Sequence, residues 1–213
     1  MVTCPLVQKS IAAASEAAIA HFVFVSGQRL AHFVRNSVQS RRGREAKEPL
    51  EPSVVVEMVF KEVCGYDAQL ARALSDPRKP KSSAHRRVFS LNKSPMELEM
   101  ELMLARKTQV FAAIPFNRNG AVVGILRIAF KALYEYVREE TFPKFGLQQI
   151  QVDAELFGEI ARDFVEAEDA STLGSLLAEA VHSASQRCAE PEMMEASTVE
   201  AICARKKRTM RIE

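Results

Sequence analysis

Apolar residues in this chain recur at steps of three and four for most of its length, and that period belongs to the α-helix rather than to the alternating strand. After Pro5, which suits a first helical turn, Val7, Ile11, Ala14, Ala18, Phe22 and Val25 form one such stripe. Continued past Gly27 through Leu30, Phe33 and Val34 to about Gln39, it predicts a rod of about 50 Å at 1.5 Å per residue. With only 8 glycines and no tryptophan in 213 residues, the chain is poor in hairpin turns and rich in helix formers. The expected class is all-α: long N-terminal helices followed by a C-terminal antiparallel helical bundle.

A charged connector, Arg41 to Pro49, leads to Pro52 and a second helix with Val55, Val59, Val63, Tyr66, Leu70 and Leu74 on one face. That face leaves Glu57, Lys61 and Arg72 toward water. Asp76 to Lys93 is proline-containing and basic, and reads as a loop. Ser94, Pro95 and Glu97 make a capped helix start, and Leu98, Leu102 and Ala105 carry that helix to about Ala112. Asn117 to Gly120 reads as a turn before a central core helix, about Ala121 to Thr141. Its apolar face is Val122, Leu126, Ala129, Leu133 and Val137, widened by Ile125 and Ile128. Phe142 to Gly146 reads as a turn, with Gly146 in a left-handed position. Leu156, Ile160 and Phe164 mark the next helix; Leu173, Leu177, Ala180 and Ala184 mark another, capped by Asp169 or Ser171. Short connections predict antiparallel neighbours. The expected organisation is an arm over 1–75, a basic loop over 76–93, a bundle over 94–204 and a basic tail over 205–213.

The net charge of +2 hides separated blocks. Residues 76–95 carry +5, 205–213 carry +4 and 153–200 carry −10. Such polarity suits an interaction protein better than a uniformly basic nucleic-acid binder. The cysteines at 4, 64, 188 and 203 have no metal-ligand or disulfide-framework spacing, which points to a reducing compartment. The contiguous apolar run Ala17 to Val25 is too short for a bilayer, so any membrane contact is expected to be peripheral.

Chemistry-bearing patterns are sparse. His21 and His32 lie about 16 Å apart on a common helix, too far to share one ion. Gly120 and Gly124 lack the lysine and preceding strand of a phosphate loop. Glu139 with Glu140, and Glu168 with Asp169, have no partner base, and no nucleophile motif occurs. No catalytic residue, metal site or cofactor is implied. Arg78, Lys79, Lys81, Arg86 and Arg87 form a candidate contact for acidic lipid headgroups, set against a solvated linker, and Ser90 sits in a basic phosphorylation context. Arg205 to Arg208 admits a nuclear or nucleic-acid adaptor as the alternative function, set against a solubilising terminus.

The string FPKFGLQQIQVD, Phe142 to Asp153, contains Gln148, Gln149 and Gln151, for which periodicity supplies no reason. Together with Phe145, Gly146 and Leu147 it resembles the C-terminal signature of the vacuolar protein sorting-associated protein 51 family, also called fat-free. VGILRIAFKALYEYVR (Val123 to Arg138), Phe111 to Phe116, RRVFSLNKS (Arg86 to Ser94) and ASQRCAEPEMMEASTVEAIC (Ala184 to Cys203) resemble further collinear segments of that family. The resemblance implies a helical-rod subunit of the Golgi-associated retrograde protein and endosome-associated recycling protein tethering complexes, acting in retrograde transport to the trans-Golgi network and in protein and lipid sorting. It implies sister tether subunits as partners, with SNARE proteins and small GTPases reached through the assembled complex. A cytoplasmic position, peripheral at the trans-Golgi network and recycling endosomes, follows from it, and neither a nucleic-acid partner nor catalysis does.

Overall fold

The computed structural model describes residues 5–39, 48–74 and 115–212. Its helices are α1 (Pro5–Gln39), α2 (Val54–Leu74), α3 (Arg118–Glu139), α4 (Lys144–Phe164), α5 (Ala167–Gln186) and α6 (Ala196–Ile212). Among the described residues there is no strand, and one isolated bridge joins Phe142 to Cys188. The all-α expectation holds. The basic loop, Ser90 and the helix expected from Ser94 lie outside the described residues, as does most of the connector from Arg41.

The helices sort into two layers. Gly27 of α1 faces Ile128 of α3, and eight residues on Arg35 stacks over Tyr136 at 5.1 Å, so α1 and α3 run parallel. Asn119 bonds Asp169 at the start of α5 while Tyr134 feels Glu179, so α5 runs parallel to α3 on its other side. In the second layer Ser53 of the α2 lead-in meets Asp153 and Phe60 meets Phe164, making α2 parallel to α4. Cys203 meets Val152 and Lys207 meets Glu159 and Asp163, which sets α6 parallel to α4 as well. The layers oppose each other: Phe22 packs on Tyr66 and Arg29 pairs with Glu62 further up α1 and earlier in α2.

This arrangement corrects the expectation that short connections alone choose neighbours. α4 and α5 do form an antiparallel hairpin, but α3 packs chiefly on α1 and α5 and only lightly on α4. The reason lies in its surface. Ala121, Gly124, Ile125 and Ala129 are all buried, so α3 is apolar around most of its girth and can accept a helix on either side. Val122, Leu126, Leu133 and Val137 are buried as read from the period, and residues of all the described helices share one apolar core.

Five further expectations are revised. In α1 the buried set is Val23, Leu30, Ala31 and Val34, whereas Val7, Ile11, Ala14, Ala18 and Val25 are exposed. A helix with two apolar stripes buries the one that meets a neighbour. α1 over Val7–Asn36 is also long and apolar enough to cross a membrane by length and composition, although little of its most apolar window is buried. Reading only a contiguous apolar run missed this, because Ser15 and Glu16 separate that run from the alanines before it. α3 starts at Arg118 rather than Ala121: the Asn117 carboxamide oxygen accepts from Gly120 N–H at 2.6 Å, which makes the expected turn an N-cap. Gly146 is not in a left-handed turn but inside the first turn of α4, where an added Cβ would lie 3.1 Å from Pro143 Cδ. Its size is what the site needs.

α5 starts earlier than expected, and neither Asp169 nor Ser171 caps it. Glu166 is the cap residue without a side-chain bond, and the function passes to Asn119 of α3. Asn119 Oδ1 accepts from Glu166 N–H at 3.0 Å, and its Nδ2 donates to Asp169 at 2.7 Å. A tertiary contact thus satisfies an N-terminal donor that a local side chain would otherwise take.

Candidate functional site

The family-like string begins α4, and the structure explains its glutamines. Two irregular stretches, 48–53 and 187–195, run against α4, and part of their backbone has no partner within a helix backbone. Glutamine offers both a donor and an acceptor on a side chain long enough to reach out from a helix. Gln151, 3% exposed, donates to Met194 O at 3.1 Å and accepts from Met194 N–H at 2.9 Å, closing a two-bond ring like one rung of a sheet. One turn back, Gln148 donates to Glu192 O at 3.2 Å, beside the Lys144–Glu192 ion pair at 2.6 Å. Gln149, about 100° round the helix from Gln148, donates instead to Glu51 O at 3.0 Å and to Asp153 at 3.0 Å. Asp153 completes the second clamp by accepting from Ser53 N–H at 2.8 Å and from Ser53 Oγ–H at 2.6 Å.

Leu147 is fully buried beneath this polar surface and Phe145 is half-buried with Lys144 over its ring at 5.9 Å. The six motif residues therefore sit together on the first two turns of α4. Sequence reasoning had no account of the glutamines, because their partners are backbone atoms about 40 and 100 residues away. The spacing of Gln148 and Gln151, which puts both on one helical face, was the available signal.

The basic tail is corrected. Arg205 to Arg208 belongs to α6, which extends to Ile212 and docks on the second layer. Lys206 pairs with Glu57 at 2.8 Å, Lys207 bridges Glu159 at 3.1 Å and Asp163 at 3.2 Å, and Arg205 donates to Leu50 O. Three of the four cations are thus engaged in holding α6, which removes the basis for a free nucleic-acid or targeting tail. Glu57 feels this most. Its hydrogen bonds to Lys206 and Lys61 hold its carboxyl down at about 2.

Other perturbed groups are structural. Burial pushes the Cys203 thiol well above its ordinary range, so it packs as an inert apolar residue and donates to Val152 O at 3.5 Å. Burial also raises Glu155, with Arg162 opposing it at 3.5 Å. Tyr66 is pushed up to about 12 by burial and then by Glu62. Arg118 forks onto Asp67 at 2.7 and 2.5 Å, tying α3 to α2. Among the described residues no group of three or more His, Cys, Asp or Glu is placed to hold a metal ion. A cavity of about 290 Å³ between α6 and the start of α2 is lined by Glu51, Glu57, Arg205 and Lys206, the ion-pair surface just described. Arg78, Lys79, Lys81, Arg86 and Arg87 fall outside the described residues.

A two-layer helical module whose distinctive polar residues tie its own connectors and last helix to a central helix is the class these features define. Most of the chain has counterparts in known proteins. The chain is 33% identical over 208 residues to the Homo sapiens vacuolar protein sorting-associated protein 51 homolog, covering 88% of this chain. It is 30% identical over 213 residues to the Gallus gallus homolog, covering 90%, and 24% identical over 199 residues to that of Arabidopsis thaliana, covering 83%. The chain belongs to the vacuolar protein sorting-associated protein 51 family and carries its C-terminal region. It spans about a quarter of the length of these curated relatives. No protein-family model and no solved structure matches it.

Proposed function

We propose that this protein is a non-enzymatic subunit of a multisubunit vesicle-tethering complex acting in retrograde transport from endosomes to the trans-Golgi network. The observation that carries the reading is the relationship just given, which covers nearly nine-tenths of the chain. The fold supports it. A module that spends its buried polar residues on internal connectors presents long helices laterally, and lateral helix packing builds multisubunit rods. Sister tether subunits are the direct partners; SNARE proteins and small GTPases are reached through the assembled complex, where several weak contacts add up. Its place is cytoplasmic, peripheral at trans-Golgi and recycling-endosome membranes. Arg78, Lys79, Lys81, Arg86 and Arg87 are the candidate contact with acidic lipid there, each cation contributing about 1 kcal/mol near such a surface.

The test is affinity purification of the tagged chain from cells, with mass spectrometry of what accompanies it. Tether subunits are the expected partners. Recovery of ribonucleoproteins or chromatin without tether subunits overturns the reading.

A further inference from the structure

The cation run Arg205 to Arg208 leads directly into Thr209, and Arg211 follows two residues later. A hydroxyl with cations one, two, three and four positions before it and another two after it has the charge pattern that basic-directed kinases select, because an acidic substrate groove engages several cations at once. The structure adds what the pattern cannot. Thr209 is exposed, as are Arg205 and Arg208 beside it, and its Oγ1 donates only locally, to Lys206 O at 2.7 Å. It stands three residues before Ile212, the last residue of α6, where a helical turn opens at little cost.

Thr209 also lines the cavity of about 290 Å³ between α6 and the start of α2, together with Glu51, Glu57, Arg205 and Lys206. Lys206 and Arg205 precede it by three and four positions and so share its face of the helix. These are the cations that fasten α6 to α2 and to the 48–53 lead-in, through Glu57 at 2.8 Å and through Leu50 O. Lys207, which holds α6 to α4 through Glu159 and Asp163, is two residues away and points to the other side, about 160° round the helix. One accessible hydroxyl thus stands among the contacts of α6 to α2 and apart from its contacts to α4.

We propose that Thr209 is a phosphorylation site whose modification releases α6 from α2 and the 48–53 lead-in while leaving it seated on α4. In the transfer the Thr209 oxygen bonds the γ-phosphorus of a nucleoside triphosphate, and the bond from that phosphorus to the β–γ bridging oxygen breaks. The nucleoside diphosphate leaves, and the hydroxyl proton passes to the kinase's base. The product carries about −1.5 to −2 charges at neutral pH. It offers Lys206 and Arg205 a partner on their own helix with more charge than the Glu57 carboxylate or the Leu50 carbonyl, and it faces Glu51 and Glu57, which repel it. It also adds negative charge to the C-terminal part of α6, which the helix dipole disfavours. All three effects act against the contact of α6 with α2. This inference is independent of the tether reading and concerns the chain alone.

The experiment treats the folded full chain with the catalytic domain of protein kinase C and magnesium ATP, and locates phosphate by peptide mass spectrometry. Hydrogen exchange is compared before and after treatment, with Thr209→Val carried alongside. Phosphate on Thr209 is expected, with the amides of residues 205–210 and of Val56 in the first turn of α2 exchanging roughly tenfold faster, the size of one lost charge-assisted bond, and those around Glu159 unchanged. Thr209→Val should show neither that phosphopeptide nor the loosening, whichever other residues are modified. A folded chain that takes up no phosphate at Thr209 overturns the site. Phosphate there with unchanged exchange overturns the release, as does equal loosening in Thr209→Val. Equal loss of protection in α4 refutes the separation of the two contacts.

Discussion

Replacing Gln151 by leucine tests the central claim that the glutamines of α4 hold the chain's irregular connectors. Leucine fills much the same volume, so packing changes little, but it can neither donate to Met194 O nor accept from Met194 N–H. Gln151 is 3% exposed and Met194 7%, so water does not readily replace the lost partners. Each buried backbone group left unsatisfied costs about 1–3 kcal/mol, giving about 2–5 kcal/mol for the pair once a small gain from the apolar side chain is allowed. For a chain of this length that lowers Tm by roughly 4–20 °C, at about 2–4 °C per kcal/mol. The change has a location as well as a size. Hydrogen exchange should show the Met194 amide losing protection first, followed by α6, which the 187–195 connector leads into, while Leu126 and Leu133 in α3 stay protected. Gln148→Leu removes a single bond at 3.2 Å and should cost about 1 kcal/mol. If Gln151→Leu unfolds at the wild-type temperature with the Met194 amide still protected, the clamp is not what holds the connector.

Gly27→Val should separate α1 from α3, because even the first added carbon would lie 2.8 Å from Ile128 Cβ; overpacking of this kind costs about 1–3 kcal/mol, read by denaturant unfolding. Arg118→Ala takes a two-bond guanidinium away from Asp67, whose side chain is 10% exposed, and should cost about 3 kcal/mol by the same assay. Glu57 gives a pH signature. Its carboxyl is depressed to about 2 in the folded chain from 4.5, so its contribution to docking α6 is complete above 4.5 and is lost as pH falls from 4.5 toward 2. Glu57→Gln should flatten the stability profile across that window, and a profile unchanged by the substitution would remove Glu57 from the account.

How much was legible beforehand differs from element to element. The core face of α3 could be read residue by residue because a helix buried on several sides has few ways to be arranged. What the glutamines bond could not be read, since their partners are main-chain atoms that only the packing of α4 against two distant connectors brings within 3.2 Å. Resemblance filled that gap for family but not for mechanism: it marked Gln148, Gln149 and Gln151 as distinctive without saying what they bond. Arg205 to Arg208 shows the opposite failure. A run of cations looks free in sequence, and it is the facing acids Glu57, Glu159 and Asp163 on other helices that engage it.

By itself the sequence determined that the described chain is helical and where its apolar stripes lie, because period and propensity are properties of neighbouring residues. It also determined the family, through segments whose order does not depend on the fold. Only the tertiary structure decided that odd and even helices form two opposed layers, which stripe of α1 is buried, and that an asparagine on α3 caps α5. Each of these depends on which surface meets which. Contacts between residues about 50 to 150 positions apart are settled by the joint packing of all the helices, and no local pattern carries that information.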